Sequence, residues 1–282
     1  MQIITNPNEM QSLALSLRSQ NKKISLVPTM GFLHAGHAEL IKQGRQKGDI
    51  LIVSLFVNPT QFGVNEDLSA YPQDLDKDMA LAKSLGVDIL FAPKASDVYA
   101  NDHATWVEVP DLAKNLCAKS RPTHFRGVAT VVCKLLMLTQ ANVATFGEKD
   151  WQQLAIIRRL VRDLNIPVEI AACPIVREAD GLALSSRNVY LKTEERKQAP
   201  EIQKALLMAK EHILSGERNV EKLKGEIRKH WQDNLTLGQE DYLEFVEPDT
   251  LIPVSEVKSF VLMAVAVRLG KARLIDNILV AL

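Results

Sequence analysis

Through the first 175 or so residues, short apolar runs rich in Ile and Val alternate with longer segments of helical period. That alternation is the signature of a parallel sheet wrapped by helices, because parallel strands need a crossover between them and a helix usually supplies it. The strand candidates are 24–28, 50–57, 87–92, 143–146 and 168–171, several of them apolar throughout, as strands covered on both faces must be. Helix candidates lie between them at 37–47, 75–85, 127–138 and 151–164. Gly48 and Gly86 stand where the first two should stop, which suits glycine's ease in the left-handed cap conformation.

The pattern changes after about residue 176. Segments 194–215 and 220–231 read as amphipathic helices rich in Lys and Glu, and strand-like runs follow at 242–246, 260–267 and 273–280. Helices followed by strands predict a second, smaller α+β unit, so the expected division is 1–175 and 176–282. Charged runs such as Glu194-Glu195-Arg196-Lys197 fit a solvated helix face. Residues 110–123 read as a long connection.

Length and charge narrow the function. With 282 residues, 46% of them apolar, the chain can bury a sizeable core in one large or two modest domains. Its 34 Lys and Arg balance 34 Asp and Glu, leaving no surplus positive field, so neither nucleic acid nor a membrane is an expected partner. Cys117, Cys133 and Cys173 are far apart and show no C-x-x-C pairing, which argues against a disulfide framework or a thiolate metal site and for a reducing compartment. The stretch MQIITNPNEM lacks the basic and apolar parts of a signal peptide, and no apolar run approaches the roughly 20 residues of a spanning helix. A cytoplasmic protein is the expectation.

Five segments carry polar groups at places suited to chemistry. In PTMGFLHAGHAEL (28–40), two histidines, His34 and His37, stand three apart among loop glycines where a strand hands over to a helix. Glycines there let the backbone approach a ligand, and the unpaired amides and the helix dipole together suit a phosphate, to whose oxygens two imidazoles could donate. A zinc pair or two ordinary surface histidines are the alternatives, though zinc wants two further ligands and His103, His124, His212 and His230 offer no companion pair. GLALSSRN (181–188) combines small hydroxyls, a guanidinium and an amide and could clamp a polyphosphate; it could equally be a polar turn. FGEKDWQQ (146–153) runs from a strand end into a helix, with Lys149 opposing the helix dipole, which function explains better than stability. VNPTQF (57–62) closes a strand with two amides suited to hydroxyl or carboxylate recognition, and SRPTHFRG (120–127) sets two guanidiniums and an imidazole before a helix; each could be a plain turn or loop.

Taken together and in this order, these blocks resemble the pantoate–β-alanine ligase family of the H-x-G-H nucleotidyltransferase superfamily, and LGKARLIDN (269–277) resembles its closing segment. The resemblance runs almost end to end. It implies a Rossmann-like ATP- and pantoate-binding catalytic domain over 1–175 and a C-terminal α+β lid domain over 176–282. It further implies an ATP-dependent condensation of pantoate with β-alanine through pantoyl adenylate, giving pantothenate, AMP and pyrophosphate, with Mg²⁺ bridging phosphates, in a homodimer. No protein nucleophile is needed, which agrees with the lack of any Ser-His-Asp or Cys-His arrangement in the motifs.

Carried over by position, the resemblance implies that His34 and His37 contact ATP phosphates while Lys149, Ser185, Ser186 and Arg187 stabilise the charge moved in transfer. Gln61 and Gln153 would hold pantoate, with Asn58 and Met30 lining the reaction centre. Gly147, Asp150, Val176 and Leu184 would belong to the ATP pocket, Arg121 and His124 to the loop bordering it, and Asp78 of YPQDLDKD to the metal. Thr123 stands where the family often has glycine, and Gln73-Asp74 replaces a more familiar Arg-Thr. The alternative reading is another nucleotidyltransferase of the same superfamily.

Overall fold

The apolar runs become the central strands of a parallel sheet. The computed structural model describes residues 1–63, 68–69 and 71–282. In chain order the first part holds β1 (Gln2–Ile4), α1 (Pro7–Ser19), β2 (Ile24–Thr29), α2 (Ala35–Lys47), β3 (Ile50–Leu55), α3 (Leu75–Ser84), β4 (Ile89–Phe91), α4 (Ala95–Val98), α5 (Cys117–Ser120), α6 (His124–Thr139), β5 (Val143–Gly147), α7 (Trp151–Asp163) and β6 (Glu169–Cys173). There follow α8 (Thr193–Gln198), α9 (Glu201–Leu214), α10 (Val220–Asn234), β7 (Gly238–Val246), β8 (Phe260–Leu269) and β9 (Ala272–Ala281).

Six strands pair in the order β1-β4-β3-β2-β5-β6, every neighbour parallel. From β2 the chain steps through β3 to β4 on one side, then places β5 and β6 on the other. The direction of winding therefore reverses between β2 and β5, and in open parallel sheets the crevice beyond the carboxyl ends at such a point is where ligands bind. One face of β2, β3 and β4 contributes Val27, Leu51, Val53 and Leu90 to a buried cluster with Ile41 of α2 and Ala82 of α3. Helices α1 and α6 pack on each other and on β2.

Two compact units are distinguished. The first comprises Met1–Ala113, Arg121–Glu148 and Ile156–Pro174, and the second comprises Lys114–Ser120, Lys149–Ala155 and Ile175–Leu282. To the C-terminal segment this adds two excursions, 114–120 and 149–155, that the sequence pattern placed in the first part. Within the second unit β7, β8 and β9 form an antiparallel sheet whose apolar face, including Phe245, Met263, Val265 and Leu274, packs on Ile202 and Leu206 of α9 and Leu223 and Ile227 of α10. Among the described residues no helix is long and apolar enough to cross a membrane.

Several local expectations change. The pair β1 and α1 went unread, although Asn6 caps α1 by accepting the amides of Asn8 and Glu9 and Pro7 opens it. Gly86 takes a φ of +73°, as a cap glycine does, but Gly48 is extended. Its requirement is closeness instead: a Cβ there would lie 2.8 Å from the Ser25 nitrogen and 2.9 Å from the Lys23 oxygen. Helix α6 begins at His124, so that imidazole sits on the helix and not before it. The 110–123 connection contains a 3₁₀ turn at Pro110–Leu112 and the short α5.

Candidate active site

The loop between β2 and α2 is built around a buried carboxylate. Thr29 ends β2, donates through Oγ1 to the Ser54 carbonyl at 2.7 Å and accepts the Gly31 amide at 3.2 Å. Gly31 and Phe32 then take φ values of +84° and +51°, a conformation that a phenylalanine holds only when its surroundings enforce it. What enforces it is Asp78 on α3, 4% exposed, whose two oxygens accept the amides of Phe32 at 2.8 Å and Leu33 at 2.6 Å. Successive amides turned to one side make an anion-binding concavity, and here the anion is the protein's own side chain. Both oxygens of Asp78, the residue the sequence reading gave to a metal, support the loop that carries the histidines.

His34 and His37 cap the helix they open. The His34 Nδ1 accepts the Gly36 amide at 3.1 Å, and the His37 Nδ1 accepts the His34 amide at 3.4 Å, with ring centroids 4.1 Å apart. A neutral imidazole that accepts at Nδ1 carries its proton at Nε2. Both rings are therefore set as Nε2–H donors at the positive end of α2, beside the β2–β5 reversal.

A second group gathers at the end of β3. Asn58, 1% exposed, accepts at Oδ1 from Tyr99 Oη and Thr60 Oγ1, each at 2.9 Å, and donates through Nδ2 to Gln61 Oε1 at 3.2 Å and the Gly127 carbonyl at 3.1 Å. Gln61 in turn directs its Nε2 at the Met30 sulfur, 2.7 Å away. The His124 Nδ1 donates to the Gln61 carbonyl at 2.8 Å, which leaves Nε2 to accept from Arg121 Nη1 at 3.1 Å. This is the opposite tautomer to that of the His34 and His37 pair. Gly127 allows α6 to approach so closely that a Cβ would lie 2.5 Å from the Thr60 carbonyl oxygen.

Tyr99 was missed by sequence reasoning. Burial pushes its hydroxyl above the ordinary tyrosine range against the opposing pull of its bonds to Thr60 and Asn58, so it stays protonated and donates. Thr123 is right-handed at φ −97°, where glycine has no advantage, and Asp74 caps α3 by accepting the Lys77 amide at 3.2 Å.

The first unit thus brings Met30, Asn58, Gln61, Arg121 and His124 into one bonded set, and holds His34, His37 and Gly147 at the carboxyl ends of the adjacent strands β2 and β5. The second unit carries the remaining candidates. Lys149 and Asp150 form a 3₁₀ turn before α7, with Nζ 3.9 Å from the Asp150 carboxylate. Of the two following amides, Gln153 is half-buried, whereas Gln152 is buried, accepts the Cys117 amide at 3.0 Å and donates to the Asn115 carbonyl at 2.8 Å. Val176 and Leu184 face each other in a hairpin closed by the Leu184 amide on the Val176 carbonyl at 2.9 Å. Ser185 follows and caps the turn Ser186–Tyr190 by accepting the Arg187 amide at 3.2 Å.

A parallel sheet with an H-x-G-H turn at its winding reversal, joined to a small antiparallel α+β unit, defines an α/β enzyme class that handles nucleotides. Relatives narrow the class. The pattern of the pantoate-beta-alanine ligase family matches residues 2–279. The pantothenate synthetase of Nitratidesulfovibrio vulgaris strain DP4 is 57% identical over 279 residues, 99% of each chain, and that of Maridesulfovibrio salexigens 56% identical over 280 residues, again 99% of each. Among solved structures, pantothenate synthetase from Thermus thermophilus superposes with a TM-score of 0.92 at 42% identity over 99% of both chains. The pantoate-beta-alanine ligase from Francisella tularensis, complexed with beta-gamma ATP and beta-alanine, does so with a TM-score of 0.80 at 37% identity, over 99% of this chain and 97% of that one. The chain belongs to the pantoate–β-alanine ligase family.

Proposed function

We propose that this chain joins pantoate to β-alanine at the expense of ATP in two steps. The pantoate carboxylate attacks the α-phosphorus and expels pyrophosphate, leaving pantoyl adenylate. The β-alanine amine then attacks the pantoyl carbonyl carbon, and AMP departs as pantothenate forms. The observation that carries this reading is the imidazole pair whose capping bonds set both rings as Nε2–H donors at the start of α2. Negative charge moves onto the α-phosphate oxygens and the departing pyrophosphate as the bond breaks, and donors fixed beforehand stabilise that state without reorganising.

In this scheme residues 1–175 form the ATP- and pantoate-binding catalytic domain and residues 176–282 a lid domain. His34 and His37 donate to phosphate oxygens, and Lys149, Ser185, Ser186 and Arg187 act on the same transferred charge. Gln61 and Gln153 hold pantoate, with Met30 and Asn58 at the reaction centre. Gly147, Asp150, Val176 and Leu184 line the nucleotide pocket, and Arg121 and His124 border it. Mg²⁺ enters as the companion of ATP: among the described residues no three His, Cys, Asp or Glu side chains are placed to hold a metal, and Mg²⁺ ordinarily keeps waters and substrate phosphates as ligands. The working form is a cytoplasmic homodimer.

Exchange of labelled pyrophosphate into ATP tests the scheme. It is expected to require pantoate and Mg²⁺ but not β-alanine. Exchange that appears only once β-alanine is added would remove the adenylate from the pathway.

A further inference from the structure

Two neighbouring residues of β9 stand out in a strand that otherwise builds the core of the second unit. Asp276 and Asn277 are each 5% exposed, and with Gln152 they are the buried polar side chains of that unit among the described residues. A buried carboxylate or amide in a sheet is costly unless fully bonded, and apolar residues would pack there at no such cost. Their presence is accounted for by what they hold.

Asp276 grips the hairpin that leads into the Ser185–Arg187 loop. Its Oδ2 accepts from Arg177 Nη1 at 2.7 Å and its Oδ1 from Arg177 Nη2 at 2.9 Å, a two-pronged pair that fixes the guanidinium plane. Arg177 Nη1 also donates to the Gly181 carbonyl at 3.0 Å, and Arg177 pairs with Ala183 across the hairpin, two residues before Ser185. The same Oδ1 accepts the Asn277 amide at 2.7 Å. Asn277 spends its Nδ2 on the Lys149 carbonyl at 3.0 Å. One dipeptide thus anchors two segments, 128 residues apart in one case and 99 in the other, each carrying cations assigned above to the transferred phosphate.

We propose that Asp276 and Asn277 are positioning residues for adenylation, setting the Lys149 turn and the Ser185–Arg187 loop in register with each other. The proposal rests on the ligase reading of the preceding subsection. Neither residue need touch substrate. Asn277 acts through the Lys149 backbone, and Asp276 acts through Arg177 and the hairpin.

Three measurements test it on the intact enzyme: single-turnover formation of pantoyl adenylate, conversion of preformed pantoyl adenylate with β-alanine, and the melting temperature. Asn277→Ala is expected to slow the first about 10-fold or more, since a misplacement of about 1 Å in a catalytic group can cost on the order of 10²-fold. The second should change by less than about 3-fold. In a Lys149→Ala background, Asn277→Ala should add almost nothing, because groups that act as a unit are not additive. The near-isosteric Asn277→Asp, which replaces the donor with a carboxylate facing the Lys149 carbonyl, should reproduce the defect if the alanine variant fails to fold. Asp276→Asn should likewise slow adenylation, with no further loss beyond that of Arg177→Ala in the double variant. Equal losses in both half-reactions, losses that follow the melting temperature, or full additivity with Lys149→Ala would each overturn the proposal. Failure of the wild-type chain to make pantoyl adenylate at all would instead overturn the ligase reading.

Discussion

Leu33 gives its amide proton to the carboxylate of Asp78 at 2.6 Å, across 45 residues of chain. With the matching bond from Phe32 this holds two successive left-handed residues, and the loop they shape delivers His34 to the start of α2. The helix α3 is thereby part of the apparatus that places the imidazoles, although it contributes none of them.

If that is the role of Asp78, Asp78→Asn should impair the loop and not the metal. The amide side chain keeps one acceptor and turns a donor toward the other loop amide, leaving a buried clash of donors that costs about 1–3 kcal/mol. Adenylation is expected to slow by about 10²-fold, on the scale of a displaced catalytic donor. The Mg²⁺ concentration giving half-maximal rate at saturating ATP should stay where it is in the wild type. A marked increase in that concentration would return Asp78 to the metal.

The two duties of His34 can be separated. Asparagine is among the best N-cap residues, so His34→Asn should retain stability while removing the Nε2–H donor; His34→Ala should lose both, with a stability cost of about 0.5–2 kcal/mol. Both variants should slow pantoyl adenylate formation by about 10²–10³-fold, as should His37→Ala and Lys149→Ala. The comparison to make is single-turnover rate against thermal melting. An active His34→Asn enzyme would mean that the ring matters only as a cap.

Gln61→Leu removes the amide that Asn58 supports and, on the proposal that this amide holds pantoate, leaves a polar group of the substrate without a partner. Pantoate affinity should fall by about 1–3 kcal/mol, the usual cost of an unpaired buried group, while ATP affinity is nearly unchanged. Titration calorimetry of the two ligands decides it, and equal losses would contradict the assignment. The backbone carbonyl of Gln61, which receives His124, is untouched by this substitution.

Gly127→Ala should be disruptive although glycine there is helical and buried. The added methyl would meet the backbone of Thr60 and Gln61, which cannot swing aside as a side chain would, so α6 and the turn after β3 must part. A loss of about 1–3 kcal/mol is expected from such overpacking, read as a lower melting temperature, together with weaker pantoate binding. An unchanged melting temperature would show that the turn can yield.

The sequence disclosed those features whose cause is local. Strands β2 and β3 were legible because they are covered on both faces and so read as unbroken apolar runs. Strand β1 was not, since three residues with only the last buried show no period at all. His34 and His37 could be picked out because their spacing and glycines lie within one stretch. Tyr99, by contrast, owes its place to Asn58, 41 residues away, and the purpose of Asp78 depends on amides 45 and 46 residues upstream. Asp276 and Asn277 end the block LGKARLIDN and fall in a strand-like run, but nothing near them in sequence reveals Arg177 or the Lys149 carbonyl as their partners. Polar groups whose partners are distant look like ordinary polar residues until the chain has folded.

The capping bonds of His34 and His37 have a consequence in acid. Each Nδ1 works as an acceptor opposite a backbone N–H, and a proton added there would set donor against donor. The same event would loosen the first turn of α2 and rotate the Nε2–H groups off their line. The onset of a helix and the aim of two Nε2–H groups therefore rest on the same two acceptor nitrogens, and neither can be disturbed without the other.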